Sequence, residues 1–272
     1  MGSPMSAPLE LRHVGKTYTS ARTGESVEAL ADIDLALRNG EFLAVVGPSG
    51  CGKSTLLSLV AGFAEPTSGE VLFEGARVIA PSPERGVIFQ DYALFPWRTV
   101  HGNVVFGPWA RGVPQATRDE RARELIAMVG LAGFEHRYPH ELSGGMRQRC
   151  ALARMLANDP KLWLMDEPLA AVDLQTRIIL QDELLRLWGD EPSVANRPTV
   201  MFVTHGIDEA VLLADRVLVL GRRPGRIKAL VEVTLPRPRA ALRTSPEVAR
   251  LVEQVWNLIR DEAAQAIVEE TH

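Results

Sequence analysis

Hydrophobic and polar positions change their period several times along the chain of 272 residues. LELRHVGKTY at 9–18 alternates, gives way to the polar turn SARTGE, and alternation resumes in SVEALADIDLAL at 26–37, as in two half-buried paired strands. Asn39-Gly40 supplies turn chemistry after them. EFLAVVG at 41–47 is a short, nearly all-apolar run ending in glycine, and KSTLLSLVAGF follows at once with helical character. Buried strand, glycine loop and helix thus come in unbroken succession. GEVLFEG at 69–75 and RGVIFQ at 85–90 read as further short strands, with Pro81 and Pro83 in the loop between them.

From about 91 to 160 the texture turns helical. VHGNVVFGPWARG and ATRDERARELIAMVG, the latter with Leu125, Ile126 and Val129 apolar, read as helices, and another begins at LSGG, residues 142–145. Strand character returns in KLWLMDEP (161–168), TVMFVTH (199–205) and DRVLVLG (215–221), separated by helices over 174–188 and 206–214. Buried strands alternating with helices predict an α/β fold with a mostly parallel sheet covered on both faces. From Pro246 onward Val248, Leu251, Val252, Val255, Leu258, Ile259, Ala263 and Ile267 recur at helical spacing, for a helix that docks on the body or forms a partner interface. The expected parts are a core from 5–90 and 161–240, a helical insert at 91–160 and a helical tail at 241–272.

Composition narrows the class. With 46% hydrophobic and 24% charged residues the chain can bury a sizeable core, and a net charge of -4 offers no polybasic surface for nucleic acid or anionic lipid. Cys51 and Cys150 lie far apart without ligand spacing, which suits a reducing compartment and no structural zinc. No run approaches a membrane span, the longest apolar one being LLSLVAGFA at 56–64, so a membrane role is expected to come through a partner. The opening MGSP reads as a cloning remnant.

GPSGCGKST at 47–55 fits G-x-x-x-x-G-K-S/T, the P-loop pattern. Gly47, Gly50 and Gly52 let the backbone curl so that N–H groups from Gly50 to Thr55 converge on phosphate oxygens, with Pro48, Ser49 and Cys51 completing the loop. Lys53 reaches the β and γ phosphates, and the Ser54 hydroxyl ligates magnesium. Cys51 is expected to present an exposed thiol there. KLWLMDEP places Asp166 and Glu167 at the carboxyl end of a buried strand, where open α/β sheets bind ligands. Asp166 can hold magnesium, and Glu167 can orient or deprotonate a hydrolytic water. Gln90 and His205 also end apolar strands; each is either satisfied locally or aimed at the same phosphate, Gln90 through magnesium and water.

With the P-loop, Gln90, LSGGM, LWLMDEP, Ala171-Val172-Asp173 and His205 in this order, the chain over about 9–235 resembles the nucleotide-binding subunit of an ATP-binding cassette (ABC) transporter. The resemblance implies a P-loop NTPase (RecA-like) core with an antiparallel β subdomain and an inserted helical subdomain. It implies ATP and Mg2+ as ligands and hydrolysis at the interface of a head-to-tail homodimer. That arrangement explains LSGG. Ser143 is a good N-cap, but Gly144 and Gly145 each cost about 1 kcal/mol of helix propensity relative to alanine. Bare glycines there admit an anion to the helix end, and the γ-phosphate already cradled by its own loop leaves that end to serve the nucleotide on a second subunit. Tyr18 matches the aromatic residue that stacks on adenine, and Asp173 the dimer-contact aspartate, although LAAVD stands where the family commonly has SALD.

Tyr92, Phe95 and Trp97, in DYALFPWRTVHGNVVFG, match the groove-forming segment that receives a coupling helix of the membrane subunit, or are subdomain core. ALFPWRTV with RRPGRIKALVEVTLPRPR resembles importers of the nitrate, aliphatic sulfonate and taurine group. The resemblance thus implies permease subunits, an upstream solute-binding protein, no nucleic acid, and a peripheral position on the cytoplasmic face of the inner (plasma) membrane. A pyrimidine-precursor importer and a soluble non-transport ABC ATPase are the alternatives.

Overall fold

The structure is a computed structural model that describes residues 7–170, 172–188 and 197–269, with side chains described as far as residue 260. The MGSP opening, Ala171 and the side chains of Ala263 and Ile267 lie outside the described residues. The chain divides into two compact units, Met1–Pro81 with Gly189–His272, and Ser82–Trp188.

The first unit carries β1 (Leu9–Thr19), β2 (Ser26–Leu37), β3 (Phe42–Val46), α1 (Lys53–Ala61), β4 (Ser68–Phe73) and β5 (Ala76–Arg77). The second carries β6 (Arg85–Ile88), α2 (Val100–Val104), α3 (Phe106–Ala110), α4 (Gln115–Met128), α5 (Gly144–Leu156), β7 (Leu162–Asp166) and α6 (Leu174–Trp188). Back in the first come β8 (Thr199–Val203), α7 (Ile207–Leu213), β9 (Arg216–Leu220), β10 (Ile227–Glu232) and α8 (Pro246–Glu269).

The alternating amino-terminal segments form the expected antiparallel sheet, in the order β2-β1-β4-β5. Its ladder slips around Val14, where His13 and Asp32 both adopt left-handed backbone (φ 50° and 54°). The other sheet of this unit is the phosphate-loop scaffold. β3 pairs in parallel with β8 on one side and β9 on the other, and β10 closes the edge antiparallel to β9. FLAVV, TVMFV and RVLVL are buried at every position, as strands covered on both faces must be. The Phe42 and Phe202 rings meet across β3 and β8 at 5.7 Å. Each fully buried ring of this kind stabilises the fold by about 2–3 kcal/mol relative to exposure. A buried ion pair between Arg216 and Glu41 ties the start of β9 to that of β3. The tail helix α8 docks on α7, β9 and β10 and buries Val248, Val255 and Ile259.

In the second unit β6 and β7 pair in parallel from Arg85↔Leu162 to Ile88↔Met165, and α5 packs on β6. α2, α4 and α5 form the helical cluster expected from the texture of 91–160. Asn103, fully buried, organises the segment before it: it accepts from Phe95 N (2.9 Å) and donates to the carbonyls of Phe95, Arg98 and Thr99.

Candidate nucleotide-binding site

β3 delivers the chain to the loop at Val46, and Gly50 and Gly52 then turn it through left-handed conformations (φ 73° and 104°) that cost other residues strain. A Cβ on Gly52 would lie 2.8 Å from the Ala29 carbonyl, so the loop also hugs β2. α1 starts directly at Lys53, with its first backbone bond from Leu56 N to Gly52 O at 2.8 Å. Lys53 is 5% exposed, and its Nζ donates to Gly47 O (2.9 Å) and Pro48 O (3.0 Å). Two neutral carbonyls thus hold a nearly buried ammonium at the mouth of α1. Ser54 and Ser49 are exposed, Pro48 and Thr55 half-buried.

Cys51 corrects one expectation. Its thiol is not exposed but 1% accessible, because the glycines flanking it fold that side chain under the loop, where a Cβ on Gly47 would stand 2.9 Å from Sγ. Burial pushes the thiol pKa up.

His205 follows β8 and is exposed. The residues around it form a buried clamp that the sequence reading missed. Thr204 donates its hydroxyl to the Glu209 carboxylate, in the first turn of α7, and accepts from Gly206 N at 2.9 Å. T-H-G-x-x-E, a hydroxyl and an acid flanking a histidine at a strand-to-helix turn, is the signal from which it can be read. Tyr18, near the end of β1, is 45% exposed, with Lys16 Nζ 5.0 Å from its ring centroid.

In the second unit Asp166 ends β7 half-buried, and Glu167 follows with φ 48°, an uncommon conformation for glutamate. Gln90 Nε2 donates to Glu167 Oε2 at 3.5 Å, so two residues 77 apart in sequence meet. Ser143 caps α5, its Oγ accepting from Met146 N at 3.3 Å. Gly145 has an intrachain reason as well as the one inferred from sequence: a Cβ would lie 2.9 Å from Thr176 Cγ2. Thr176 in turn donates from N (3.0 Å) and Oγ1 (2.7 Å) to the Asp173 carboxylate, whose pKa the backbone bond above all depresses. Thr176 therefore joins the LSGG helix to Asp173, a role no motif announced.

The aromatic segment splits between the two readings left open. Tyr92 is core, with a phenol pKa raised by burial, whereas Trp97 is 71% exposed. Phe95 lies between them, its ring tilted against Phe106 at 4.5 Å and against Trp97 at 5.7 Å. Arg154 fixes the chain here by donating to Tyr92 O (2.9 Å) and Ala93 O (2.6 Å).

A buried strand, a left-handed glycine loop and a lysine opening the next helix define a P-loop nucleoside triphosphatase. Residues 30–170 match the family described as ABC transporter. An uncharacterized ABC transporter ATP-binding protein of Methanocaldococcus jannaschii is 50% identical over 263 residues, covering 97% of this chain and 95% of its own. A taurine import ATP-binding protein of Roseobacter denitrificans is 44% identical over 243 residues, 88% of this chain and 89% of its own. Among solved structures, a dimeric post-hydrolysis ATP-binding cassette bound to ADP and Pi superposes with TM-score 0.72 at 30% identity, over 84% of this chain and 99% of that one. The chain belongs to the ABC transporter family and is its ATP-binding, ATP-hydrolysing subunit.

Proposed function

We propose that this chain energises a solute importer, hydrolysing ATP between two copies of itself on the cytoplasmic face of the plasma membrane. The observation that carries the reaction is the Gln90–Glu167 contact on a left-handed turn beside Asp166. It holds the Glu167 carboxylate at the carboxyl end of β7, where it serves to orient a water toward the γ-phosphate. Lys53 exchanges its two loop carbonyls for the β and γ phosphates, and the N–H groups of Gly50 to Thr55 cradle them. His205, on the turn after β8, holds the γ-phosphate side of the reaction, and Tyr18 stacks on adenine through its exposed ring. Ser143, Gly144 and Gly145 present the N-terminus of α5 to the nucleotide of the partner copy, with Asp173 at the same interface.

Mg2+ suits the donors available. The exposed Ser54 hydroxyl, the Asp166 carboxylate and the Gln90 amide offer hard oxygen ligands; the bound ion would neutralise charge developing on the phosphates. Residues 91–160 form the signature subdomain in this reading, and 5–90 with 161–240 the nucleotide core.

Among the described residues no helix is long and apolar enough to cross a membrane. In this reading the chain is held at the membrane by permease subunits. The exposed Trp97 and Trp109, at 71% and 52%, are the surface on which they dock. The solute is of the nitrate, sulfonate or taurine kind, delivered by a solute-binding protein; the relatives named for taurine import support this, at 42–44% identity. The test combines two measurements. Glu167→Gln should bind ATP, hydrolyse it at least about a hundredfold more slowly and accumulate as a dimer in ATP. Normal turnover would remove Glu167 from its role. The native complex with its permease should raise its ATPase rate with taurine, sulfonates or nitrate; indifference to all three would reject the solute class.

A further inference from the structure

The turn joining β9 to β10, Gly221–Arg226, does more than close a hairpin. Closure needs only the bond from Gly221 N to Arg226 O at 3.0 Å. Beyond it, the turn is fastened to β2 and to the phosphate-binding loop. Gly225 N donates to Ala29 O (2.9 Å) and Gly225 O accepts from Ala31 N (3.0 Å), a parallel bridge at Leu30↔Gly225. Gly225 also presses against the loop: a Cβ there would lie 2.1 Å from the Cys51 carbonyl oxygen. Arg223 then reaches across with Nε and Nη2, 3.3 and 3.2 Å from the Gly50 carbonyl oxygen. The preceding strand shares in this, since a Cβ on Gly47 would meet Leu220 O at 2.7 Å.

These contacts fall on Gly47, Gly50 and Cys51, where the loop reverses. A nest of N–H groups binds phosphate only if the carbonyls between them point away, and a guanidinium on the Gly50 carbonyl holds that orientation before ligand arrives. A positive charge fixed behind the loop also favours the polyphosphate electrostatically. We propose that the Gly221–Arg226 turn is a strap that keeps the phosphate-binding loop in its ligand-ready shape, with Arg223 as a positioning residue that sets affinity for ATP. The inference rests on the assignment of residues 47–55 as the phosphate site. Arg223 acts on the loop and not on the reacting atoms, so it governs how tightly ATP binds and not how fast bound ATP is split.

Two variants probe the strap independently. Arg223→Ala removes the guanidinium from an exposed side chain and leaves the core intact. Gly225→Ala adds one methyl against the Cys51 carbonyl at a position outside the left-handed region, so it pushes the turn off the loop without backbone strain. In the full-length chain, with equilibrium binding of a fluorescent ATP analogue and steady-state ATPase assays, Arg223→Ala should raise Kd and KM about fivefold and Gly225→Ala about tenfold or more. Arg223→Lys should recover part of the loss, and kcat at saturating ATP should stay within about twofold for Arg223→Ala. Lys53→Ala is the reference for the phosphate site itself. If Lys53→Ala weakens ATP binding while Arg223→Ala leaves Kd unchanged, the strap is wrong and the site stands. If Lys53→Ala changes nothing, the phosphate site is misassigned and the strap falls with it. A lower kcat with unchanged Kd in Arg223→Ala would also overturn the positioning role. Should Gly225→Ala fold poorly, Arg223→Ala decides the question alone.

Discussion

Thr204→Val preserves the shape of a buried side chain and deletes one hydroxyl. That hydroxyl donates to the Glu209 carboxylate and accepts Gly206 N–H at 2.9 Å, and Thr204 and Glu209 are only 4% and 6% exposed. Valine leaves a buried carboxylate short of one donor and a turn N–H short of its acceptor. Each loss costs about 1–3 kcal/mol, with the charged group at the upper end, for a gross penalty of about 2–5 kcal/mol. Glu209 keeps further interactions, and Gly206 is near enough to solvent to recover a water partner, so a net loss of about 2–3 kcal/mol is expected. Urea denaturation at matched slope measures it. His205 stands between the two bonded residues, so loosening the turn displaces the imidazole in the same step. ATP turnover should fall about tenfold or more, with a smaller change in KM, because the loop that holds the phosphates is untouched. Thr204→Ser restores the hydroxyl and should restore most of both quantities. A valine variant within about 0.5 kcal/mol of the parent in stability, and equal to it in kcat, would show that the clamp does not hold His205.

His13 Nδ1 donates to the Asp32 carboxylate at 2.9 Å with Asp34 at 3.0 Å, and its pKa is raised, first by the Asp32 hydrogen bond and then by the charge of Asp34 and Asp32. A raised folded-state pKa means that the pair favours the fold below the ordinary histidine value near 6.5 and that this contribution fades as pH rises through the folded pKa. NMR titration should place the His13 midpoint above 6.5 and Asp32→Asn should lower it; a midpoint unmoved by that change would refute the pairing. Cys51 and Cys150 are both buried, with the Cys150 thiol pushed up to about 12 by burial. At pH 8 about one Cys150 in ten thousand is thiolate, so the native chain should react with Ellman's reagent orders of magnitude more slowly than the chain in guanidinium, where both thiols should count. Rapid labelling of the native chain would contradict the buried loop thiol.

Much of the fold was legible because its signals are local. Five consecutive apolar residues followed by glycines and Lys-Ser-Thr leave little choice but strand, loop and helix, and β3 and α1 fall where the pattern put them. Ser143 reads as an N-cap from its neighbours alone, and caps α5. Gln90, Asp166, Glu167 and His205 were visible as polar residues ending apolar runs. Cys51 was misjudged for a physical reason: glycines on both sides signal a loop, and loops are usually exposed, but the left-handed turns that glycine permits fold the intervening side chain inward.

By itself the order of residues determined the periodicities, the caps and the phosphate-binding motif, since each depends on groups within a few positions of one another along the chain. Only the tertiary structure decided which face each loop residue presents and which distant groups it meets. Arg223 lies 173 residues from Gly50, and the pairings of Thr176 with Gly145 and Gln90 with Glu167 likewise join separate stretches of chain. No periodicity encodes such contacts: the backbone propensity of a residue is local, whereas its partners are set by how strands and helices stack, through close approaches of about 3 Å that a single methyl group would block.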